Sequence, residues 1–433
     1  MKYKIHRKIL DNKMRLMFVP MDNVDTVSIG IFVKIGSRYE HDDEKGIAHF
    51  LEHMMFKGTS NMTSNEISEK LDSVGAHYNA GTSYESTFYY MYGHKNNTDM
   101  FIDIMADMYI NPVFNKEDIL TERHVVTEEL NMTKDDPYET IHEMMYSKLF
   151  SNSGLGSPIV GNKKNILGFT REDFINFRKN KYTTDRTVFV IVGNFNVKKI
   201  SKNIIKKFEK VKLIKPESEH ILMPYSPEIK HQPTSVTFKA NKKVSQTQVS
   251  IAFRSENIYS EKSDVYEIIG DILGGGSSSR LYELLRNKLG ITYFINVYNN
   301  SYLHEGLFVI HVGVDGKRIN EVIKNIIKEL DILVKKGVTD VELEKAKNMK
   351  ITSFTLGLQT PYDIMNFYGM QELVYKVGDV PKQSQDMTKI STVLNKYKSI
   401  TKKTVNSTIK ELFDQDNMNI FVYGNKPTKL IKI

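Results

Sequence analysis

The pentapeptide HFLEH at residues 49–53 combines two metal-ligand side chains and an acid at a fixed spacing. On a helix, His49 and His53 project from one face, and Glu52 lies beside His53 on the adjoining face. One ion can bind both imidazoles, and catalytic zinc needs a third protein ligand beside a water whose pKa it lowers to about 7. Glu52 is then placed to accept the proton of that water. The alternative interpretation is an exposed polar helix face.

A second set of candidate ligands occurs in the acid-rich segment from Glu117 to Glu143 of an otherwise basic chain. Glu122 and Glu129 are seven residues apart, so they share one face of a helix over two turns. One of these carboxylates can bind a metal ion and the other can support it. The alternative is an acidic surface helix, which is common in proteins.

The composition restricts the chemistry that is open to this chain. Its 433 residues include no cysteine, which excludes disulfides, thiolate nucleophiles and cysteine-bound zinc or iron–sulfur clusters. The net charge of +8 comes from 60 basic and 52 acidic residues, and the excess is almost wholly lysine. Because nucleic-acid recognition favours arginine and no reader motif is present, we interpret the charge as a solvated surface and expect no nucleic-acid partner.

Hydrophobic periodicity predicts the elements that must position these residues. Spacing of 3.6 residues predicts helices at residues 46–56, 64–73, 116–132 and 320–335, and a lysine-rich amphipathic helix at 198–215. The run TSYESTFYYMYG, residues 82–93, alternates in the manner of a strand. Helices and strands in both halves predict an α+β fold.

Two pairs of similar segments indicate an internal repeat. The segment VSIGIFVKIGS from Val27 resembles VSIAFRSENIY from Val249. The segment VFVIVGN, which ends at Asn194, likewise resembles NIFVYGN, which ends at Asn425. Each half therefore opens and closes with related strands.

Prolines cluster between the two copies and indicate a linker. We predict an N-terminal catalytic domain at residues 1–215, a Pro-rich linker at 216–233 and a C-terminal domain of the same fold at 234–433. Each domain is expected to contain a largely antiparallel β-sheet packed with helices.

Essentially the whole chain resembles the insulinase or pitrilysin family of inverted-motif zinc peptidases, closest to the mitochondrial processing peptidase β subunit and its bacterial relatives. The resemblance is carried, in the order and spacing of the family, by DNKMRL, VSIGIFVKIGSRYE, GIAHFLEHMMFKGT, GAHYNAGTSYESTFYY, ERHVVTEEL, GGGSSSRLYELLRNKLGITY and both GN strand ends. It implies a zinc endopeptidase that hydrolyses unfolded peptides or N-terminal extensions in a dimeric chamber.

The resemblance also implies roles for individual residues. It implies that His49, His53 and Glu129 bind one Zn²⁺ per chain. It implies that Glu52 is the general base, and that Glu122 supports the ligands without binding the metal.

The same resemblance suggests where the peptide substrate binds. Asn79 and Ala80 match an edge strand to which the family adds the substrate as a further strand. Glu139 and Glu143 match acids that receive a basic side chain, which implies a preference for Arg or Lys near the scissile bond. As residues alone, these two acids are equally consistent with an exposed pair on a helix.

The second half of the chain carries different residues. The segment SDVYEIIGDILGGG stands where the metal helix is expected and has no histidine, so we expect one metal site per chain. Arg286 and Tyr293 resemble the family's pair that completes the active site from another domain. The resemblance implies that this pair stabilises the oxyanion or holds the substrate backbone. In two-domain members this pair reaches the zinc of a partner chain, which implies a homodimer, with a heterodimer as the alternative.

The rival interpretation of the same fold is a non-catalytic assembly or core subunit. The GGGSSSR run lacks the ending of a P-loop, so we expect no nucleotide. No apolar run is long enough to span a membrane, and no signal-peptide core is found, so a soluble and cytoplasmic protein is favoured. Histidines without ligand spacing are expected to be structural or surface residues: His77, His94, His124, His304 and His311.

Overall fold

The computed structural model describes residues 3–213, 234–241, 244–375 and 389–425. Contacts between Cα atoms divide the chain into two compact units. Unit 1 consists of the described residues within Met1–Met132, Asn152–Pro224 and Gly357–Thr388. Unit 2 consists of the described residues within Thr133–Ser151, Tyr225–Leu356 and Lys389–Ile433.

Both α-helices and β-strands occur throughout the described chain, which confirms the α+β prediction. The strands are β1 (His6–Ile9), β2 (Arg15–Pro20), β3 (Thr26–Val33), β4 (His77–Thr82), β5 (Thr87–His94), β6 (Thr187–Gly193), β7 (Ser235–Ala240), β8 (Thr247–Ser255), β9 (Thr292–Ser301), β10 (Gly306–Val314) and β11 (Met418–Gly424). The α-helices are α1 (Ile47–Met54), α2 (Ser64–Asp72), α3 (Thr98–Ile110), α4 (Lys116–Asp135), α5 (Pro137–Leu149), α6 (Lys163–Gly168), α7 (Arg171–Lys181), α8 (Val197–Phe208), α9 (Ser263–Gly274), α10 (Ile319–Lys336), α11 (Asp340–Leu356), α12 (Pro361–Tyr375), α13 (Ile390–Ser399) and α14 (Lys402–Leu412).

The helices predicted from periodicity are present. Those at residues 46–56, 64–73, 116–132 and 320–335 are confirmed as α1, α2, α4 and α10. The lysine-rich helix predicted at 198–215 is α8, which is shorter than expected. Its buried residues are isoleucines and a phenylalanine, and most of its other residues are lysines, as the amphipathic pattern predicts.

One predicted strand is wrong in part. The run at residues 82–93 is divided by a turn, so that its first residue ends β4 and the second strand begins only at Thr87. The amide of Ser83 donates to the carbonyl of Ser86 at 2.8 Å, and the two hydroxyl groups lie 2.9 Å apart. Serine hydroxyls close this turn without Gly, Pro or Asn, so the usual sequence signals of a turn are missing.

The two units are built on sheets of the same topology, which confirms the tandem repeat. The sheet of unit 1 has the order β1-β2-β6-β3-β5-β4, and that of unit 2 has the order β7-β11-β8-β10-β9. In each sheet one pair is parallel, β2 with β6 and β7 with β11, and the other pairs are antiparallel. Apart from β1, the strands of the two sheets therefore correspond one to one.

The GN strand ends owe their similarity to a shared backbone conformation. Gly193 ends β6 with φ of +130°, and Gly424 ends β11 with φ of +141°. A Cβ at Gly193 would lie 2.3 Å from the carbonyl oxygen of Thr26, and one at Gly424 would lie 2.8 Å from the hydroxyl of Thr247. Only glycine adopts this conformation and leaves room for the neighbouring strand.

Each half of the chain contributes a helix to the other unit. Helix α5 packs against β8 and β11 of unit 2, and α12 packs against β3 and β6 of unit 1. In unit 1, Ile29 and Ile31 belong to the core on one face of β3, whereas Gly30 faces Met365 of α12 on the other. Both faces of the central strands are thus covered, which explains why β6 and β11 are buried along their whole length.

The predicted domain bounds follow the internal repeat of the sequence, and they stay a prediction. The contact-based units differ from them through the exchange of α5 and α12. The predicted linker at residues 216–233 lies outside the described residues. Among the helices that are described, none combines the length and the apolar character needed to cross a membrane.

A buried acid fixes the start of α1. The side chain of Glu40 accepts from the amides of Gly46 at 2.9 Å and Ala48 at 2.8 Å, two of the amides that the first turn of a helix leaves without partners. Burial raises the pKa of Glu40 to about 8, against the opposing effect of these two N–H groups. The position of α1 therefore depends on an acid that titrates within the physiological range.

We expect this titration to appear in the stability of the chain. The pKa of Glu40 rises from 4.5 to about 8 on folding, so the folded chain keeps a proton that the unfolded chain releases. The resulting stabilisation is complete below about pH 4.5 and is lost as the pH rises through about 8, at up to about 1.4 kcal/mol per pH unit. Urea unfolding of wild type and Glu40→Gln between about pH 4.5 and about 9 measures it.

Glutamine resembles the protonated acid but does not titrate, so Glu40→Gln should lose less stability than wild type over this range. The exposed Glu69→Gln is the matched control and should keep the wild-type pH dependence. The same pH dependence in Glu40→Gln and wild type would contradict the prediction.

Candidate metal centre

Helix α1 places His49, Glu52 and His53 beside the core because its apolar residues are buried. Its apolar side chains pack into the core of unit 1 and include Ile47, Ala48, Phe50, Leu51 and Met54. His49 is 8% exposed, and Glu52 and His53 are half-buried, so this side of α1 borders the core without being enclosed by it. The two imidazole rings lie 4.7 Å apart between centroids.

Helix α4 provides the carboxylates. Its buried apolar residues Ile119, Val126 and Leu130 fix it against the core of unit 1. Glu122 is buried with them, and Glu129, two turns later, is half-buried. The spacing of seven residues, or two helical turns, therefore places both acids on the same side of α4.

The structure brings His49, His53 and Glu129 together. Nε2 of His49 lies 3.5 Å from Oε1 of Glu129, and Nε2 of His53 lies 3.5 Å from Oε2 of the same carboxylate. One ligand atom from each residue can be chosen so that all three lie within 4.8 Å of one another. Across the described part of the chain, this is the one group of three such residues that could hold a metal ion.

Glu122 forms a second contact with the same histidine. Its Oε1 lies 2.8 Å from Nδ1 of His53, and its Oε2 forms an ion pair with Lys57. A carboxylate that accepts from Nδ1 leaves Nε2 as the atom that can bind a metal ion once its own proton is released, which is the arrangement of metal-binding histidines. Two imidazole nitrogens and one carboxylate oxygen match the three protein ligands of a catalytic zinc ion.

The electrostatics of the group favour a positive charge at its centre. Hydrogen bonds from His49, and then from His53, hold the pKa of Glu129 well below its usual range. Burial lowers the pKa of His53, but hydrogen bonds to Glu122 and Glu129 outweigh it and raise this pKa to about 9. Burial raises the pKa of Glu122, whereas its bonds to His53 and Lys57 lower it overall. All three acids and bases are therefore arranged to stabilise a cation.

Glu52 does not belong to this group of ligand atoms. Its Oε2 accepts a hydrogen bond of 2.8 Å from the hydroxyl of Thr82, the last residue of β4. Sequence reasoning missed Thr82 and Lys57, although both lie inside the segments that carry the family resemblance. No periodicity marks either residue, because each reaches its partner through the fold.

Asn79 and Ala80 lie on β4, the strand at the edge of the unit 1 sheet. Ala80 is half-buried against the core, whereas Asn79 is exposed and its side-chain oxygen accepts from the amide of Ala80 at 2.8 Å. His77 on the same strand is exposed and stacks on Tyr92. The predicted edge strand is therefore present, with backbone groups along its outer side.

Arg286 and Tyr293 come together within unit 2. Arg286 lies in a π-helix, Tyr282–Lys288, and donates from Nη1 to the backbone carbonyl of Tyr293. Its guanidinium lies 4.8 Å from the ring centroid of Tyr293 and 5.2 Å from that of Tyr282. Tyr282 is a further contact that the sequence did not indicate. Tyr293 is 70% exposed, so its ring is accessible to solvent.

Glu139 and Glu143 are one turn apart on α5 of unit 2. Burial, and then the charge of Asp136, raise the pKa of Glu139. Burial is also the main cause of the raised pKa of Glu143, although Lys134 opposes it. Both acids thus lie in an environment that disfavours an uncompensated negative charge, which is not the freely exposed pair of the alternative interpretation.

His311, which was predicted to be a structural or surface histidine, is buried in unit 2. Nδ1 of His311 lies 2.7 Å from the hydroxyl of Ser250, and its Nε2 lies 3.0 Å from the side-chain oxygen of Gln248. Burial lowers the pKa of His311 to about 4, so the ring is neutral. Its two polar partners account for its place in the sheet.

Comparison with known proteins agrees with this geometry. The model of the insulinase family, peptidase family M16, matches residues 17–163, and that of the peptidase M16 inactive domain matches residues 168–350. The chain belongs to the insulinase family, M16. The inactive-domain match includes α9, which has no histidine.

Relatives of this family member are named as zinc proteases. An uncharacterized zinc protease of Rickettsia felis is 33% identical over 348 residues, which cover 80% of this chain and 82% of that protein. The uncharacterized zinc protease YmxG of Bacillus subtilis is 28% identical over 437 residues, which cover 98% of this chain and 100% of that protein.

Solved structures show the same fold. A protease from Helicobacter pylori superposes with a TM-score of 0.87 at 22% identity and covers 98% of this chain and 100% of that one. A peptidase M16 inactive domain protein from Pseudomonas fluorescens gives a TM-score of 0.87 at 15% identity, covering 99% and 100%. The M16 fold is therefore retained at low sequence identity.

Proposed function

We propose that this chain is a zinc endopeptidase that hydrolyses unfolded peptides or N-terminal extensions. The observation that carries the proposal is the convergence of ligand atoms from His49, His53 and Glu129 within 4.8 Å. Zinc held by these residues would supply Lewis-acid activation of water and of the peptide carbonyl. Membership of a peptidase family and the names of the relatives support this assignment.

In this proposal the protein residues around the ion transfer the proton of water and orient the histidine ligand. Glu52 takes a proton from the attacking water and passes it to the nitrogen of the leaving amine. Water attacks directly, so no acyl-enzyme forms. Glu122 orients His53 through its Nδ1, and Lys57 holds Glu122 in place. One Zn²⁺ per chain is expected.

The peptide substrate is proposed to bind as an additional strand along β4. An edge strand offers backbone N–H and C=O groups that pair with any extended chain, whatever its side chains. Asn79 and Ala80 lie in the middle of β4, and Thr82 at its end contacts Glu52. This contact supports a binding strand that leads toward the catalytic base.

Glu139 and Glu143 are proposed to receive a basic side chain near the scissile bond. Burial raises the pKa of both acids, so an arriving guanidinium would replace lost solvation with charge-assisted hydrogen bonds. A preference for Arg or Lys follows from this arrangement.

A working site is proposed to need two copies of the chain. Arg286 and Tyr293 would come from a partner, where the hydroxyl and the guanidinium stabilise the oxyanion or hold the substrate backbone. The exposure of Tyr293 and the packing of Arg286 against two aromatic rings support a preformed pair on a surface. A homodimer is the simplest such assembly.

The first experiment is the substitution Glu52→Gln. Cleavage of a quenched basic peptide should fall about 10²- to 10⁴-fold, because Gln cannot accept the proton of water. Bound zinc, measured by atomic absorption, should remain as in wild type. The control is Glu128→Gln, which removes an exposed charge beside Glu129 and should keep both activity and zinc. Unchanged turnover in Glu52→Gln would contradict the assignment of Glu52 as the base, and a wild type without turnover would favour the non-catalytic assembly subunit.

A second experiment measures the preference for a basic side chain. We expect kcat/KM to be about tenfold higher for a peptide with Arg near the scissile bond than for its citrulline analogue, because citrulline has the same shape but no charge. The double variant Glu139→Gln, Glu143→Gln should cleave the two peptides equally. A ratio that survives the double substitution would assign the preference elsewhere.

A third experiment tests the dimeric site by mixing two inactive chains. In a heterodimer of Glu52→Gln with Tyr293→Phe, one composite site keeps both Glu52 and Tyr293. Coexpression should therefore restore about a quarter of wild-type activity, since about half of the dimers are mixed and each has one intact site. Each variant expressed alone is the control. Activity no greater than the average of the two separate variants would show that sites are not shared.

A further inference from the structure

The hairpin between β4 and β5 is held rigidly at the end nearest to α1. Thr82 and Thr87 face each other as the last residue pair of the two strands. The amide of Ser86 donates to the hydroxyl of Ser83 at 3.1 Å, which adds to the backbone bond across the same turn. Thr87 is fully buried and donates to the carbonyl of Ile35 at 2.8 Å, so the start of β5 is fixed to the loop after β3.

The segment GSRYE, residues 36–40, follows β3 and bonds to this turn. The amide of Ser37 donates to the carbonyl of Ser83 at 3.2 Å, and the amide of Arg38 donates to that of Tyr84 at 2.8 Å. The side chain of Arg38 forms an ion pair of 2.7 Å with Glu85, and these side chains are only 7% and 17% exposed. Two backbone bonds and a largely buried ion pair therefore hold the turn to this loop.

The same loop also holds α1. Glu40 follows Arg38 by two residues and accepts from the amides at the start of α1, as described above. The hairpin that carries Thr82 and the helix that carries Glu52 are thus attached to one short segment of chain. Their relative position does not depend on a flexible connection.

Across this frame, the hydroxyl of Thr82 donates to Oε2 of Glu52 at 2.8 Å. In the part of the chain that the structure describes, this is the one hydrogen bond that the Glu52 side chain makes. We infer that Thr82 is a positioning residue for the general base: it fixes the carboxylate of Glu52 and leaves Oε1 to take the proton of water. This inference rests on the proposed function.

The physical reason is the flexibility of a half-buried glutamate. Without a partner, the side chain populates several rotamers, and only some of them direct an oxygen at the attacking water. A hydrogen bond to one oxygen selects the productive rotamer before substrate arrives, which lowers the barrier of the step and not the energy of binding.

The hydrogen bond from Thr82 to Oε2 of Glu52 can persist throughout the proposed reaction. Water gives its proton to Oε1 of Glu52 as its oxygen bonds to the peptide carbon, and that proton then moves to the leaving nitrogen as the C–N bond breaks. Oε2 accepts from Thr82 in both the charged and the protonated states of Glu52, so Thr82 exchanges no proton with the substrate.

Substitution of Thr82 by Val tests the inference, because Val keeps the shape and strand propensity of Thr and removes only the hydroxyl. In zinc-loaded Thr82→Val, kcat should fall about 10- to 100-fold while KM stays within about threefold of wild type. Thr82→Ser keeps the donor and should retain kcat within about threefold. Zinc content, and the Kd of the zinc-free variant for the same peptide, should match wild type.

The matched control is Thr98→Val, which removes a buried hydroxyl of unit 1 that donates to the carbonyl of Lys95 and makes no hydrogen bond with the hairpin or with Glu52. It should lower the urea unfolding midpoint and leave kcat close to wild type. A crystal structure of Thr82→Val should show Glu52 in more than one rotamer. Should Thr82→Val fail to fold, Thr82→Ala is measured in its place with the same expectations.

Two kinds of result would overturn the inference. One is wild-type kcat, or a single unchanged Glu52 rotamer, in Thr82→Val while Glu52→Gln is inactive. The other is an equal loss of kcat in Thr98→Val, or no recovery in Thr82→Ser, which would reduce Thr82 to a structural residue. Full activity of Glu52→Gln would instead refute the proposed function itself, so failure of the inference and failure of the function are distinguishable.

Discussion

The carboxylate of Glu129 faces two imidazoles of another helix, and the proposed chemistry of unit 1 depends on this convergence. Its pKa is held low first by His49 and then by His53, and the pKa of His53 is raised to about 9 despite burial. A low pKa on the acid and a high pKa on the base describe one environment, in which positive charge between them is favourable. A divalent ion bound here would displace the proton from His53 and lie between the same groups.

The duplicated fold shows which parts of the sheet architecture are independent of this chemistry. Unit 2 repeats the strand order of unit 1 and the glycine that ends its central strand, but α9 has no metal ligand. Its buried residues are apolar, as are those of α1 apart from His49. The fold thus needs only the apolar face of this helix. The other face is free to carry histidines in one unit and none in the other.

The sequence predicted the positions of helices better than it predicted which surfaces they pack against. Periodicity located α1 and α4 and the spacing that directs their polar residues to one side, because those patterns depend on local geometry. It could not show that α5 packs on the sheet of unit 2 or α12 on that of unit 1, since periodicity identifies an apolar face and not the surface that covers it. Glu129 was separated from Glu122 only by family resemblance. Thr82 and Lys57 act through contacts 30 and 65 residues distant in sequence, which no local pattern contains.

The segments GSRYE and TSYEST, which supply no metal ligand, both contribute to the frame around Glu52. A general base is useful only if its oxygen is already in place, and a glutamate on a helix face has no intrinsic preference for one rotamer. Arg38 and Glu85 fix the hairpin, and Glu40 fixes the helix. Thr82 joins the two structures at the carboxylate. Each contact restrains a different degree of freedom, so the precision of the site comes from several ordinary interactions acting in series and not from any one strong bond.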